Sequence, residues 1–143
     1  MSVAVDIQGP ALSLIICTFH REDLLRKALD SVAAQRAPAN FALEIVVVDN
    51  SDESSARKLV QQFAAISPFP TRFVEAHPPN ISTARNAGVL ACTGQAIAFL
   101  DDDQELAQGW LAAVAGALRD LPHDAFFGAV HPVFEEPALA GSR

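Results

Sequence analysis

The chain has 143 residues, of which 50% are hydrophobic and 19% are charged, a composition typical of one folded globular domain and not of a disordered chain. Its 17 acidic and 10 basic side chains give a net charge of −7, which argues against broad binding to nucleic acid phosphates, because that binding needs clustered Lys and Arg. The two cysteines, Cys17 and Cys92, are too few for a disulfide framework and lack metal-site spacing, so we interpret them as small buried hydrophobes in a reducing cytosol.

Targeting signals are not evident in the sequence. No apolar stretch approaches the roughly 20 residues of a membrane span. The first ten residues lack a basic region followed by an apolar core, so no secretory signal is predicted. We therefore expect a cytoplasmic protein. Peripheral attachment to the inner membrane surface, through a partner or a further segment, stays open as an alternative.

Short apolar runs alternate with longer amphipathic ones. The predicted strands lie at 11–17, 43–48, 71–76, 96–100 and 125–130, and the predicted helices at 21–35, 53–66, 80–91 and 108–120. Asn80 is the expected N-cap of the third helix. The order predicts βαβ units, hence an α/β domain of three α/β/α layers with a mostly parallel sheet, spanning 12–134 between tails at 1–11 and 135–143.

Ligands of such sheets bind at the carboxyl ends of the strands. The segment after the first strand, CTFHRE at 17–22, contains no glycine. This excludes the glycine-rich loops of dinucleotide folds and P-loops, in which backbone must approach phosphate closely. It also lacks the paired acids expected of a response-regulator receiver domain.

The second strand is followed by Asp49-Asn50-Ser51. One interpretation is an Asx turn that leads into a helix N-cap. The other is a carboxylate at the crevice that accepts hydrogen bonds from a nucleobase or ribose. The residues alone leave both open.

Three carboxylates, Asp101 to Asp103, follow the fourth strand. Like charges repel and resist desolvation, and a divalent cation such as Mg²⁺ or Mn²⁺ relieves that cost. If the chain stays extended, Asp101 and Asp103 point to one side and Asp102 to the other. One side can then hold a metal and the other can meet a hydroxyl; the alternative is a solvated acidic turn.

The helix that starts after Asn80 offers a positive N-terminus for an anion. Arg85 can add a charge-assisted contact to a phosphate, or it can be an ordinary surface charge. Gly88 is expected to let this helix pack closely on the sheet.

Four motifs together resemble the family 2 glycosyltransferases, inverting enzymes of the GT-A fold. They are SLIICTFHR at 13–21, EIVVVDNS at 44–51, ARNAG at 84–88 and FLDDD at 99–103. The resemblance covers residues 12 to about 134. Cys17 stands where the family often has Pro or Thr, and His20 stands where Asn is usual. The resemblance therefore does not identify which nucleobase the donor carries.

The resemblance implies a site for a nucleoside diphosphate sugar, with a UDP-sugar as the first expectation. Thr18 and Phe19 would line the base pocket, and the main chain at Cys17–Thr18 would hold uracil or a similar base. Asp49 would accept a hydrogen bond from that base.

The same resemblance assigns the diphosphate end of the site. Arg85 would lie near the diphosphate or ribose, and Asp102 would hold a ribose hydroxyl. Asp103, with Asp101, would bind the diphosphate through Mn²⁺ or Mg²⁺, which neutralises the leaving group.

Inverting transfer also needs a general base. The family base follows the acceptor-binding region, whereas the late carboxylates here are interpreted as turn and surface residues: Asp120, Asp124, Glu135 and Glu136. We therefore expect a fragment or a short homologue that holds the donor-binding half, lacks the base, transfers sugar poorly and associates into a homodimer.

Two other functions share features with this sequence. A non-catalytic module that binds sugar nucleotides or assists assembly is the alternative. A nucleotidyltransferase shares the architecture but should carry a glycine-rich loop after the first strand, and this chain has none there.

Overall fold

The computed structural model describes residues 9–120, together with Gly128 and residues 131–132. Strands and helices alternate along the main part. They are β1 Leu12–Thr18, α1 Glu22–Ala33, β2 Leu43–Asp49, α2 Arg57–Ile66, β3 Thr71–Glu75, α3 Ile81–Ala91, β4 Ala96–Asp101 and α4 Trp110–Asp120.

The four strands form one parallel sheet in the order β3-β2-β1-β4. Leu12 of β1 pairs with Leu43 on one side and with Ala96 on the other. The chain moves outward from β1 to β3 and then returns to place β4 on the other side of β1. This reversal opens a crevice between the carboxyl ends of β1 and β4, where open α/β sheets bind ligands.

Helices cover both faces of the sheet, as predicted. One core cluster joins α1, α2 and α4 to the face that carries Leu14 and Ile45. The other face packs against α3 through Ile15 and Val48. The predicted three-layer α/β architecture is therefore confirmed in the residues described.

Gly88 brings α3 close to the sheet. A Cβ at this position would lie 2.6 Å from Cγ2 of Ile15 and 3.2 Å from Cγ2 of Val48. A methyl group would push the helix away from the strands, so the expected reason for this glycine is confirmed.

Two predicted helix starts were wrong, by four residues for α2 and by two for α4. α2 begins at Arg57 and not at 53, because Ser54 has a φ of +52° and the N–H of Ala56 donates to the Asp49 carboxylate. α4 begins at Trp110 and not at 108, because Gly109 has a φ of +82°. Both positive φ angles lie outside the right-handed helical region.

Several predictions fall outside this description. Of the predicted strand at 125–130 only Gly128 is described, so that strand stays a prediction, as do the domain limits and tails. Within residues 9–120, every helix is too short or too polar to serve as a membrane span.

Candidate functional site

A cavity of about 400 Å³ lies at the carboxyl ends of β1 and β4, in the crevice that the strand reversal creates. Its size is within the range of small-molecule sites. All four sequence motifs contribute to its wall: Cys17, Thr18, Phe19 and Arg21 from the first, Asn50 from the second, Ala84 and Arg85 from the third, and Phe99 with Asp101, Asp102 and Asp103 from the fourth.

Asp102 links the ends of the two strands. Its side chain is buried, and Thr18 Oγ1 donates to its Oδ2 at 3.0 Å while Arg21 Nη1 donates to its Oδ1 at 3.4 Å. Burial raises the pKa of this carboxyl, and the Thr18 hydrogen bond and the Arg21 charge only partly oppose that effect. A carboxylate has about four acceptor positions, so Asp102 keeps capacity for a ligand hydroxyl.

Asp101 and Asp103 are both exposed, on either side of the buried Asp102. We expected these three side chains to alternate between two sides if the chain stayed extended, but the chain turns after Asp101, so that condition is not met. β4 ends at Asp101, and a turn follows in which the N–H of Gln104 donates to the Asp101 carbonyl oxygen at 3.0 Å. Asp103 faces the guanidinium of Arg21, with Nη1 and Oδ2 separated by 3.6 Å.

The donor set suits a divalent cation shared with a ligand. Among the residues described, no three His, Cys, Asp or Glu side chains are grouped so that they could hold a metal by themselves. Mg²⁺ sites in phosphate-transferring enzymes commonly use one or two carboxylates plus substrate phosphates. Asp101 and Asp103 supply such hard oxygen ligands at the cavity wall, and a diphosphate would complete the shell.

The N-terminus of α3 forms another part of the wall. Asn80 is the N-cap, as predicted, and its side chain accepts from the N–H of Thr83 at 2.7 Å. Asn80 and Arg85 both line the cavity. The Arg85 guanidinium carbon lies 5.9 Å from the centroid of the Phe99 ring. Helix dipole and guanidinium together make this wall favourable for an anion.

Asp49 is fully buried, and it is not among the cavity-lining residues. Its Oδ1 accepts from the N–H of Ser51 at 2.8 Å and its Oδ2 from the N–H of Ala56 at 2.9 Å. The predicted Asx turn is therefore present, but the predicted N-cap at this junction is not: the N-cap residue of α2 is Ala56, and no side chain caps the helix. The contact of Asp49 with a base stays a prediction. Asn50, the residue after Asp49, lines the cavity and donates from Nδ2 to the Ala76 carbonyl oxygen at 2.7 Å.

The loop after β1 supplies the aromatic and thiol groups. Phe19 is 49% exposed at the cavity and meets the ring of His20 edge to face, with 4.7 Å between centroids. His20 has a φ of +52°, in the left-handed region where His, like Asn and Asp, is found more often than most other side chains.

The two cysteines are free and pack against the core cluster of Ile15 and Val48, as expected of small hydrophobes, but they are only partly buried. Cys17 keeps some exposure because it lies in the cavity wall. Burial raises the pKa of its thiol to about 11, against the effect of Arg85, so the thiol stays protonated at neutral pH.

Sequence reasoning gave no role to three wall residues: Arg21, Asn50 and Phe99. Each belongs to a quoted motif, so its position at a strand end was the available signal. The late carboxylate Asp120 is exposed and accepts from Arg119 Nε at 2.8 Å, which confirms it as a surface residue. The other three late carboxylates lie outside the described residues.

Curated relatives share the motif-bearing part of the chain. The succinoglycan biosynthesis protein ExoM of Rhizobium meliloti is 36% identical over 115 residues, which cover 80% of this chain and 37% of ExoM. A GalNAc(5)-diNAcBac-PP-undecaprenol beta-1,3-glucosyltransferase of Campylobacter jejuni is 32% identical over 73% of this chain and 33% of its own. The chain thus spans about a third of the length of these relatives.

Solved structures show the same fold. The mannosyltransferase PcManGT of Pyrobaculum calidifontis, in complex with GDP-Man and Mn²⁺, matches with a TM-score of 0.68 and 27% identity over 83% of this chain and 35% of that one. S. aureus TarS matches with a TM-score of 0.66 and 21% identity over 75% of this chain and 32% of that one. The expected GT-A fold is confirmed.

The family model described as "Glycosyl transferase family 2" matches residues 13–142. That range contains all four motifs whose side chains meet at the cavity. With nearly the whole chain matched, and with relatives of the same kind, this chain belongs to glycosyl transferase family 2.

Proposed function

We propose that the cavity binds a nucleoside diphosphate sugar, as the donor for transfer of the sugar to an acceptor hydroxyl. The observation that carries this proposal is the convergence of four motifs, far apart in sequence, on one cavity at the strand reversal. The proposal is supported by PcManGT, whose structure contains GDP-Man and Mn²⁺.

The nucleoside end of the donor lies in our proposal at the end of β1. The exposed ring of Phe19 offers a face on which a base can stack, and the main chain at Cys17 and Thr18 offers hydrogen-bonding groups. Asp49 would contact the base only by using acceptor positions that its two backbone hydrogen bonds leave free. Asp102 would use its remaining acceptor capacity for a ribose hydroxyl.

The diphosphate would lie between Arg85 and the acidic triplet, by which we mean Asp101, Asp102 and Asp103. Asp103, with Asp101, would hold Mn²⁺ or Mg²⁺, which when bound supplies positive charge to the leaving nucleoside diphosphate. Arg85 and the N-terminus of α3 would face the phosphate oxygens from the opposite wall. The protein's own contribution is to fix these charges in a partly enclosed site, where they act more strongly than in bulk water.

A second candidate is a non-catalytic module that binds the sugar nucleotide. The carboxylates in the described cavity wall support this candidate. They are Asp101, Asp102 and Asp103. Asp102 is paired with Thr18 and Arg21, and the other two are assigned to the cation, so no described wall carboxylate is left to act as a general base. Transfer to acceptors, measured beside donor binding, separates the two candidates.

The test of donor binding is calorimetric titration of the chain with UDP-, GDP- and dTDP-sugars, each in Mn²⁺ and in EDTA. One donor should bind, at least about tenfold more tightly with Mn²⁺, a difference of 1.4 kcal/mol. Equal affinity in Mn²⁺ and EDTA would remove the metal from the proposal. Failure of every donor to bind would contradict the proposed function.

A further inference from the structure

Arg21 sits between two carboxylates that the proposed function assigns to the ligand and its cation. Its Nη1 lies 3.4 Å from Asp102 Oδ1 and 3.6 Å from Asp103 Oδ2. Charge-assisted N–H···O bonds are usually about 2.7–2.9 Å long. Both distances are longer than that, and the Arg21 side chain is 52% exposed, so the guanidinium is attracted to both carboxylates but is held loosely.

The side chain of Arg21 takes no part in capping α1. Arg21 is the N-cap residue of α1, yet its side chain makes no capping hydrogen bond. Only its backbone carbonyl oxygen takes part, by accepting from the N–H of Leu25 at 2.9 Å. A change of the side chain therefore tests charge and not helix formation.

The charges of the wall explain why Arg21 lies where it does. The described wall carries three carboxylates and the two guanidinium groups of Arg21 and Arg85, which leaves one net negative charge. Within residues 9–120, Arg85 contacts the Phe99 ring, whereas Arg21 is the cation placed against the triplet. Arg21 is thus the built-in counter-charge of the free site.

We propose that Arg21 is a movable counter-charge that couples cation binding to donor binding. A divalent cation at Asp103 repels the guanidinium from the position it holds in the free protein. The guanidinium then loses Asp103 as a partner and keeps only the long contact to Asp102, so a bound diphosphate supplies the anionic partner that the cation has displaced. Metal alone therefore binds weakly, and metal and diphosphate bind cooperatively, with the coupling equal in both directions. This inference rests on the proposed function and adds a donor-binding residue to it.

The experiment uses Arg21→Gln in the full 143-residue chain. Mn²⁺ alone should bind about 3–10-fold more tightly to the variant, as expected when one cation at the protein surface stops competing. UDP, or the diphosphate that the donor titration selects, should bind about tenfold more weakly at saturating Mn²⁺, because a phosphate contact is lost. Electron paramagnetic resonance reports the first affinity and calorimetry the second.

Two further variants separate this role from a purely structural one. Arg21→Lys keeps the charge, so its affinity for Mn²⁺ alone should stay near that of the unchanged chain. Arg85→Gln should weaken diphosphate binding without strengthening binding of Mn²⁺ alone, because Arg85 does not lie on the triplet.

The opposite signs of the two Arg21→Gln effects are the decisive result. If both affinities fall together, or neither changes, while the unchanged chain still binds the diphosphate with Mn²⁺, the counter-charge role is wrong and the proposed function stands. If the unchanged chain binds no diphosphate, both are overturned.

Discussion

The buried carboxylate of Asp49 shapes the loop between β2 and α2. Its two oxygens accept backbone N–H groups from Ser51 and Ala56, five positions apart in the loop, and the side chain is fully buried. The Ser51 bond closes a turn, and the Ala56 bond satisfies a backbone donor at the start of α2. Asn50, which follows Asp49 in this loop, lines the cavity, so the carboxylate of Asp49 stabilises a loop that forms part of the cavity wall.

Replacement of Asp49 tests that role. Asp49→Ala should lower the free energy of unfolding by about 2 kcal/mol or more, because hydrogen bonds to a charged acceptor are worth about 1.5–3 kcal/mol each. Chemical denaturation measures the change. Asp52→Ala is the matched control, since Asp52 lies in the same loop, is 74% exposed and is paired with the exposed His77; it should cost under about 1 kcal/mol.

The same variant tests the proposed base contact. If Asp49 also reads the base, Asp49→Ala should weaken UDP binding in Mn²⁺ but leave pyrophosphate binding unchanged. A variant as stable as Asp52→Ala would contradict the role in the loop, and equal losses for UDP and pyrophosphate would contradict base reading.

At the scale of elements, a second buried carboxylate ties the amino ends of the strands together. Glu44 of β2 accepts through Oε1 from Ser13 Oγ at 2.6 Å and from the N–H of Thr93 at 2.7 Å, and through Oε2 from Arg72 Nη2 at 2.9 Å. Gly94 donates its N–H to Ser13 Oγ at 2.8 Å. This network joins β1, β2, β3 and the α3–β4 turn at the end of the sheet opposite to the cavity.

The network makes part of the stability depend on pH. Burial by itself raises the pKa of Glu44, but the hydrogen bonds from Ser13, Thr93 and Arg72 outweigh it, so the pKa lies below its ordinary value of 4.5. A carboxyl whose pKa is lowered by folding adds stability above its unfolded pKa. That stability is lost as the pH falls through the folded pKa.

Glu44→Gln should therefore lower the free energy of unfolding at pH 7 by about 1–3 kcal/mol, the cost of broken hydrogen bonds in a buried site. Its stability should also fall less steeply than that of the unchanged chain as the pH drops below about 4.5, the usual carboxyl range. Denaturation at a series of pH values measures both. The exposed Glu105→Gln is the control, and identical acid profiles for all three proteins would show that Glu44 does not contribute.

At the scale of the whole molecule, the fold was largely predictable because local signals agreed with one another. The β-branched run of β2 is buried along its full length, and the stripe of Leu25, Leu29 and Val32 is the buried face of α1. Asn80 was predicted to cap α3 and Gly88 to let α3 pack closely on the sheet, and the structure confirms both roles. Placement of the acidic triplet at a strand end then followed from the parallel sheet.

The sequence could not supply two kinds of detail. The late start of α2 and the turn after Asp101 depend on hydrogen bonds between residues seven and three positions apart, which hydrophobic periodicity does not reveal. The place of Arg21 depends on a carboxylate 81 positions away in the chain. Such contacts arise from the arrangement of strands, and no local pattern encodes them.

The most direct measurement is calorimetric titration of the Asp103→Asn chain with the nucleoside diphosphate that the donor panel selects, in Mn²⁺ and in EDTA. Asp30→Asn, an exposed change on α1 away from the cavity, is the matched control. Asp103→Asn should lose the Mn²⁺-dependent gain in affinity, about tenfold or more, with an unchanged unfolding midpoint, and Asp30→Asn should retain that gain. A full Mn²⁺-dependent gain in the Asp103→Asn chain would contradict a cation-assisted donor site at the ends of β1 and β4.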